Sequence, residues 1–133
     1  MTQTATGTFT VEMTPQPDAD VVDGVTLGRM ALSKQFSGDF SGTGKGQMLT
    51  AMTAEDGSAG YVAIERLTGS LHGHRGGFVL QHRGTMDRGA RSLSIRIVPD
   101  SGTGELAGIT GSFELDIREG VHHYTLHYRL PGH

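Results

Sequence analysis

The chain has 133 residues, enough for one domain, residues 1–133, with a core of its own. It has no cysteine, which excludes disulfides and thiolate chemistry. Its net charge of -3, from 11 basic and 14 acidic residues, lacks the basic excess of a nucleic-acid protein.

Residues 1–7 have neither the charged start nor the apolar core of a signal peptide, and no apolar run approaches the roughly 20 residues of a membrane helix. The expectation is a cytoplasmic protein without a membrane partner. The first predicted strand covers residues 4–13, where Ala5, Gly7, Phe9, Val11 and Met13 alternate with threonines and Glu12. Residues 14–24, with Pro15, Pro17 and three aspartates, read as a loop. A second strand follows at 25–36. Its faces are mixed, Val25, Leu27, Arg29 and Ala31 against Met30, Leu32, Lys34 and Phe36, which suggests a bulge or a strand passing from one environment to another. A turn at 37–42 leads to a third strand at 43–54, and a turn at 55–60 to a fourth at 61–68. On the fourth, Tyr61, Ala63, Glu65 and Leu67 share one face and Val62, Ile64 and Arg66 the other; residues 69–71 offer a continuation across a kink. After a turn at 72–76, the fifth strand, 77–85, sets Phe78, Leu80 and His82 on one face.

Residues 86–90 turn into a sixth strand at 91–98, where Leu93, Ile95 and Ile97 alternate with serines and Arg96. Pro99 ends it, since proline cannot donate to a ladder. In the glycine-rich connection that follows, Leu106 and Ile109 are expected to plug one end of the fold. The seventh strand, 112–118, carries Phe113, Leu115 and Ile117 on one face. Glu119 and Gly120 form a tight turn into the eighth, 121–130, with His122, Tyr124, Leu126, Tyr128 and Leu130 on one face.

Eight strands joined by short connections, with no amphipathic helix, give an all-β fold, an eight-stranded up-and-down antiparallel β-barrel. A two-sheet sandwich is the structural alternative. A barrel of this size holds side chains or one small ligand.

Within it, Glu65 and His82 are the candidate catalytic pair. They sit on neighbouring strands among apolar residues, where burial raises a carboxyl pKa and suits it to acid–base work. The plainer readings are a salt bridge from Glu65 to Arg83 or Arg66 or plain exposure of Glu65, and a satisfied core histidine for His82. Tyr61, Phe78, Leu80, His122, Tyr124, Tyr128 and Met48 are candidate ligand-binding residues, with aromatic core packing as the alternative for the tyrosines. His72 and His74 are two apart, and His122 and His123 are adjacent, without a carboxylate or thiol at metal-ligand spacing. No metal or other cofactor is expected. The glycines at 102 and 104 precede a strand rather than a helix, so they do not form a phosphate loop.

The segments 36–42, 59–69, 77–86, 98–111 and 123–128 together resemble the bacterial family DUF3224. That family is similar in fold to the allene oxide cyclase and dirigent barrels, which carry a late turn comparable to Gly102-Thr103-Gly104-Glu105-Leu106. The resemblance implies an allene oxide cyclase-like barrel with a largely apolar cavity, and no particular activity. The expected function is binding of a small apolar or amphipathic ligand in the interior, with a cofactor-free cyclase or isomerase as its enzymatic form. The alternative is a non-catalytic binding protein or a structural homo-oligomer that uses exterior residues such as Val62 and Ile64.

Overall fold

A computed structural model describes residues 2–132; Met1, at the head of the segment read above for a leader, lies outside the described residues. The strands are β1 (Gln3–Pro15), β2 (Asp20–Val22), β3 (Val25–Gly38), β4 (Phe40–Met52) and β5 (Ala59–Leu71). They continue with β6 (His74–Asp87), β7 (Ala90–Ile97), β8 (Thr103–Gly104), β9 (Thr110–Arg118) and β10 (Val121–Arg129). Among the described residues there is no helix, and so none long and apolar enough to cross a membrane.

The sheet runs β1-β10-β9-β7-β6-β5-β4-β3, and β1 pairs again with β3. These eight strands therefore close into an antiparallel barrel, which removes the exposed edges of an open sheet. The two short strands extend ladders that the barrel strands leave unfinished. β2 takes over the edge of β3 at Leu27, beyond the point where β1 ends opposite Met30. β8 pairs with β6 at Gly76 and Gly77, beyond the reach of β7.

Two sequence expectations are corrected. The stretch 14–24 is not all loop: β1 runs to Pro15, and β2 and β3 form a hairpin around Asp23 and Gly24, both at positive φ (51° and 80°). An Asp-Gly pair is a strong hairpin signal, here masked by two nearby prolines. Of the two readings offered for β3, the bulge is absent from its ladder with β4, which keeps one register from Thr26↔Met52 to Phe36↔Gly42. The faces look mixed for another reason. The outward side is apolar at Val25 and Leu27, while the inward side carries Lys34.

The inward residues pack more tightly toward one end of the barrel. Phe36, Phe40 and Phe78 meet edge to face at 5.4 and 5.8 Å between ring centroids. Leu106 and Ile109 are fully buried in the same cluster, so the β7–β9 connection forms the expected plug. The Tyr124 ring stacks on Phe113, and its hydroxyl accepts the Phe40 amide proton at 2.9 Å. The phenol's own proton is shared between the carbonyls of Phe40 and Ser37, at 3.0 and 3.1 Å. One tyrosine thus pins the sharp β3–β4 corner.

Candidate functional site

The antiparallel register brings the site together. In the β5–β6 ladder Ala63 lies opposite His82 and Glu65 opposite Leu80, so Glu65 and His82 are diagonal neighbours on the inward face. His82 Nε2 lies 3.0 Å from Glu65 Oε1. On the other side of Glu65 stands β4, whose inward face is glycine at 42, 44 and 46. With no side chains there, Lys34 of β3 reaches past Gly44 to the carboxylate. Its ammonium sits 3.0 Å from Oε2 and 3.2 Å from Oε1, and 4.9 Å above the centre of the Phe9 ring. A Cβ on Gly44 would fall 3.2 Å from Glu65 Oε2, and one on Gly46 only 2.2 Å from the Ile64 carbonyl oxygen. The glycines make the room that the ion cluster occupies.

All three polar side chains are buried, with Lys34 7%, His82 5% and Glu65 1% exposed. Burial alone pushes the Glu65 carboxyl up. Hydrogen bonding to His82 and the charges of Lys34 and His82 outweigh it and hold the carboxyl below its ordinary value of 4.5. The carboxyl is therefore ionised, which reverses the expectation that burial would raise its pKa. The partner is also neither Arg66 nor Arg83, both of which point outward. It is Lys34, which sequence reasoning placed on a mixed face and passed over. Oε2 has the Lys34 charge beside it but lies off the hydrogen-bond direction.

Above this cluster the barrel opens. Its mouth is a cavity of about 440 Å³, lined by five methionines: Met13, Met30, Met48, Met52 and Met86. The strand ladders explain the convergence. Met30 pairs directly with Met48 across β3 and β4, Met13 is diagonal to Met30 across β1, and Ala59 is flanked by Met52 and Met86. The wall is loosest between β7 and β9, which share a single ladder pair, Arg96↔Ser112. Leu93 and Leu115, one on each side of that seam, both line the cavity.

Tyr61 lines the mouth as well, and its ring centroid lies 6.3 Å from that of His82 below. The ring leans across Gly84 toward β7: a Cβ on Gly84 would meet Tyr61 Cε1 at 2.4 Å and Leu93 Cδ1 at 3.3 Å. Burial, and then the Glu65 charge, push the Tyr61 phenol above its ordinary value of 10.0, so it keeps its proton at neutral pH.

The structure thus divides the residues singled out from sequence. Met48 and Tyr61 line the mouth, and Glu65 and His82 form a hydrogen-bonded pair beneath it. Phe78, Leu80, Tyr124 and Tyr128 are packed in the core and do not line the mouth. His122 is half-buried with its ring 5.1 Å from Phe9. The Tyr128 hydroxyl bonds to His72 Nδ1 and donates to Gln3 Oε1, near the closed end. Among the described residues no three His, Cys, Asp or Glu side chains gather as metal ligands would.

A family model described as "Protein of unknown function (DUF3224)" matches residues 5–128. Among solved structures, the chain is similar to a protein with unknown function from the DUF3224 family of Shewanella oneidensis MR-1. The two are 46% identical, the match covers 98% of each chain, and the TM-score is 0.93. No curated protein matches the chain.

Proposed function

The chain belongs to the DUF3224 family, and from that premise we propose that it binds a small apolar or amphipathic molecule in the methionine-lined mouth of its barrel. The observation that carries this reading is the mouth itself. A cavity of about 440 Å³ falls in the usual range for small-molecule sites, and its lining is mostly apolar with a few polar groups. Methionine is unbranched and polarisable, so five of them make a wall that adapts to the shape of its occupant.

Binding without turnover fits the site better than a cofactor-free cyclase or isomerase. The Glu65 side chain has no accessible surface, its charge is already matched by Lys34, and His82 lies within hydrogen-bond distance of it. A ligand in the mouth meets Tyr61 and Met48 before either member of that pair.

Native mass spectrometry of the purified protein, followed by denaturing extraction, tests the reading. A defined small molecule should co-purify and be absent from Ala59→Trp, which fills the mouth from a half-buried position. No co-purifying molecule, together with no change in melting temperature across a panel of apolar compounds, would sink the proposal.

A second reading concerns the outer wall. Leu27, Leu49, Val62 and Ile64 are 49–53% exposed on adjacent strands β3, β4 and β5, and this patch suits self-association. Light scattering should show an oligomer that Leu49→Lys dissociates; a monomer at high concentration would rule it out.

A further inference from the structure

We propose that the occupant of the mouth is an amphipathic monoanion, with its head group held by Arg91 and the Tyr61 hydroxyl and its apolar chain running down among the methionines. This rests on the binding reading above and adds the chemical class of the ligand.

Arg91 is the one ionised side chain in the cavity lining. It stands at the start of β7, opposite Met86, on the same inward-facing series as Leu93, Ile95 and Ile97. Arg91 is exposed at the strand end, at the rim of a mouth whose lining is mostly apolar. Among the described residues, no carboxylate pairs with Arg91 and no group bonds to the Tyr61 hydroxyl. Lys34 is buried and neutralised by Glu65 at 3.0 Å, whereas Arg91 is exposed at the rim, within reach of a ligand entering the mouth.

The two head-group donors line the same mouth. Tyr61 sits one residue pair deeper than Ala59 on β5, and its ring crosses Gly84 of β6 toward Leu93 of β7. The absence of a side chain at Gly84 permits this lean. It carries the phenol from β5 toward the strand that bears Arg91. A guanidinium and a protonated phenol at one rim are donors without an acceptor, a combination that selects an anionic oxygen over a neutral or cationic head. Below them lie Met48 and Met30, which accept a flexible chain without a fixed shape. A negative head on an apolar tail satisfies both halves of the lining; a purely apolar ligand leaves the rim donors unmatched.

The test uses three ligands with the same chain and different heads: octanoate, 1-octanol and octylammonium. Each is titrated into the purified full chain by calorimetry, and the methionine methyl resonances report where it binds. Octanoate should bind about tenfold more tightly than 1-octanol, the scale of a partly exposed charge-assisted hydrogen bond, with octylammonium the weakest. Arg91→Gln should bring octanoate to about the level that 1-octanol shows in the same variant, while Arg91→Lys keeps most of the preference. Added salt should weaken octanoate and not 1-octanol.

If wild-type protein binds octanoate and 1-octanol equally, or if Arg91→Gln retains the preference, the anion inference is overturned and the mouth remains a binding site for apolar molecules. If octylammonium binds most tightly, the charge assignment is wrong in sign. If none of the three binds or moves a methionine methyl resonance, the inference and the binding reading fall together.

Discussion

Replacing Lys34 with Met removes the cation that faces Glu65 and leaves the rest of the cluster in place. The Lys34 ammonium lies 3.0 and 3.2 Å from the two carboxylate oxygens, and the pair is at most 7% exposed. Solvent cannot take over its role. Breaking a buried ion pair by removing one partner costs about 3–5 kcal/mol, because the remaining charge stays desolvated. At an unfolding entropy of about 2.1 cal/mol/K per residue, 133 residues give roughly 0.28 kcal/mol/K, so the melting temperature should fall by about 11–18 °C. Urea unfolding at neutral pH measures the free energy directly. The double variant Lys34→Met/Glu65→Gln separates charge from packing. Glutamine retains a hydrogen-bonding group for His82 but carries no charge, so adding it should recover at least about 2 kcal/mol of the loss. A Lys34→Met variant that loses under about 1 kcal/mol, or a double variant no more stable than the single, would refute the claim that the charge of Glu65 must be matched inside the barrel.

The same carboxyl sets an acid limb. Its folded pKa is below the ordinary 4.5, so between the two values the unfolded chain holds a proton that the folded chain does not. Stability therefore rises with pH in that window; the contribution is complete above about 4.5 and is lost as pH falls through the folded value. Glu65→Gln should flatten this limb in urea midpoints measured from pH 3 to 6, leaving the contribution of Asp39, whose pKa is also lowered, first by the Thr6 amide. An unchanged limb would show that Glu65 is not depressed. Gly46→Ala should cost about 3 kcal/mol in urea unfolding, at the upper end of overpacking, because its Cβ meets the Ile64 carbonyl at 2.2 Å and backbone cannot turn aside. A cost below about 1 kcal/mol would show that β4 and β5 can separate there. Tyr124→Phe should cost about 1–3 kcal/mol by leaving the buried Phe40 amide unmatched, and amide exchange at Phe40 should accelerate with it. Unaltered exchange at that amide would mean the corner does not depend on the phenol.

Alternation was enough to place most of the barrel and half of the site. In the fourth and fifth predicted strands the apolar residues mark the inward face without ambiguity, so Glu65 and His82 followed from their neighbours. Their diagonal contact followed from hairpin connectivity. Lys34 was hidden because its strand breaks the rule that makes the others readable: Val25 and Leu27 face out while a lysine faces in. A lysine among Leu32 and Phe36 could have been recognised by asking what would neutralise Glu65. The answer lies on a strand two places away, however, and is reachable only because the intervening face is glycine at 42, 44 and 46. That three-part arrangement is a property of the closed sheet. Arg91 was hidden for another reason: it stands near the start of a strand, where a charged residue is ordinarily solvated, and only the closed barrel shows that this strand end forms the rim of the mouth. The two missed cations differ in consequence. Lys34 is spent on an internal carboxylate and contributes to stability, whereas Arg91 stands exposed at the rim of the mouth, where solvent or a ligand can meet its charge. A single cation at the rim of a mostly apolar mouth is the feature on which the proposed anionic ligand rests.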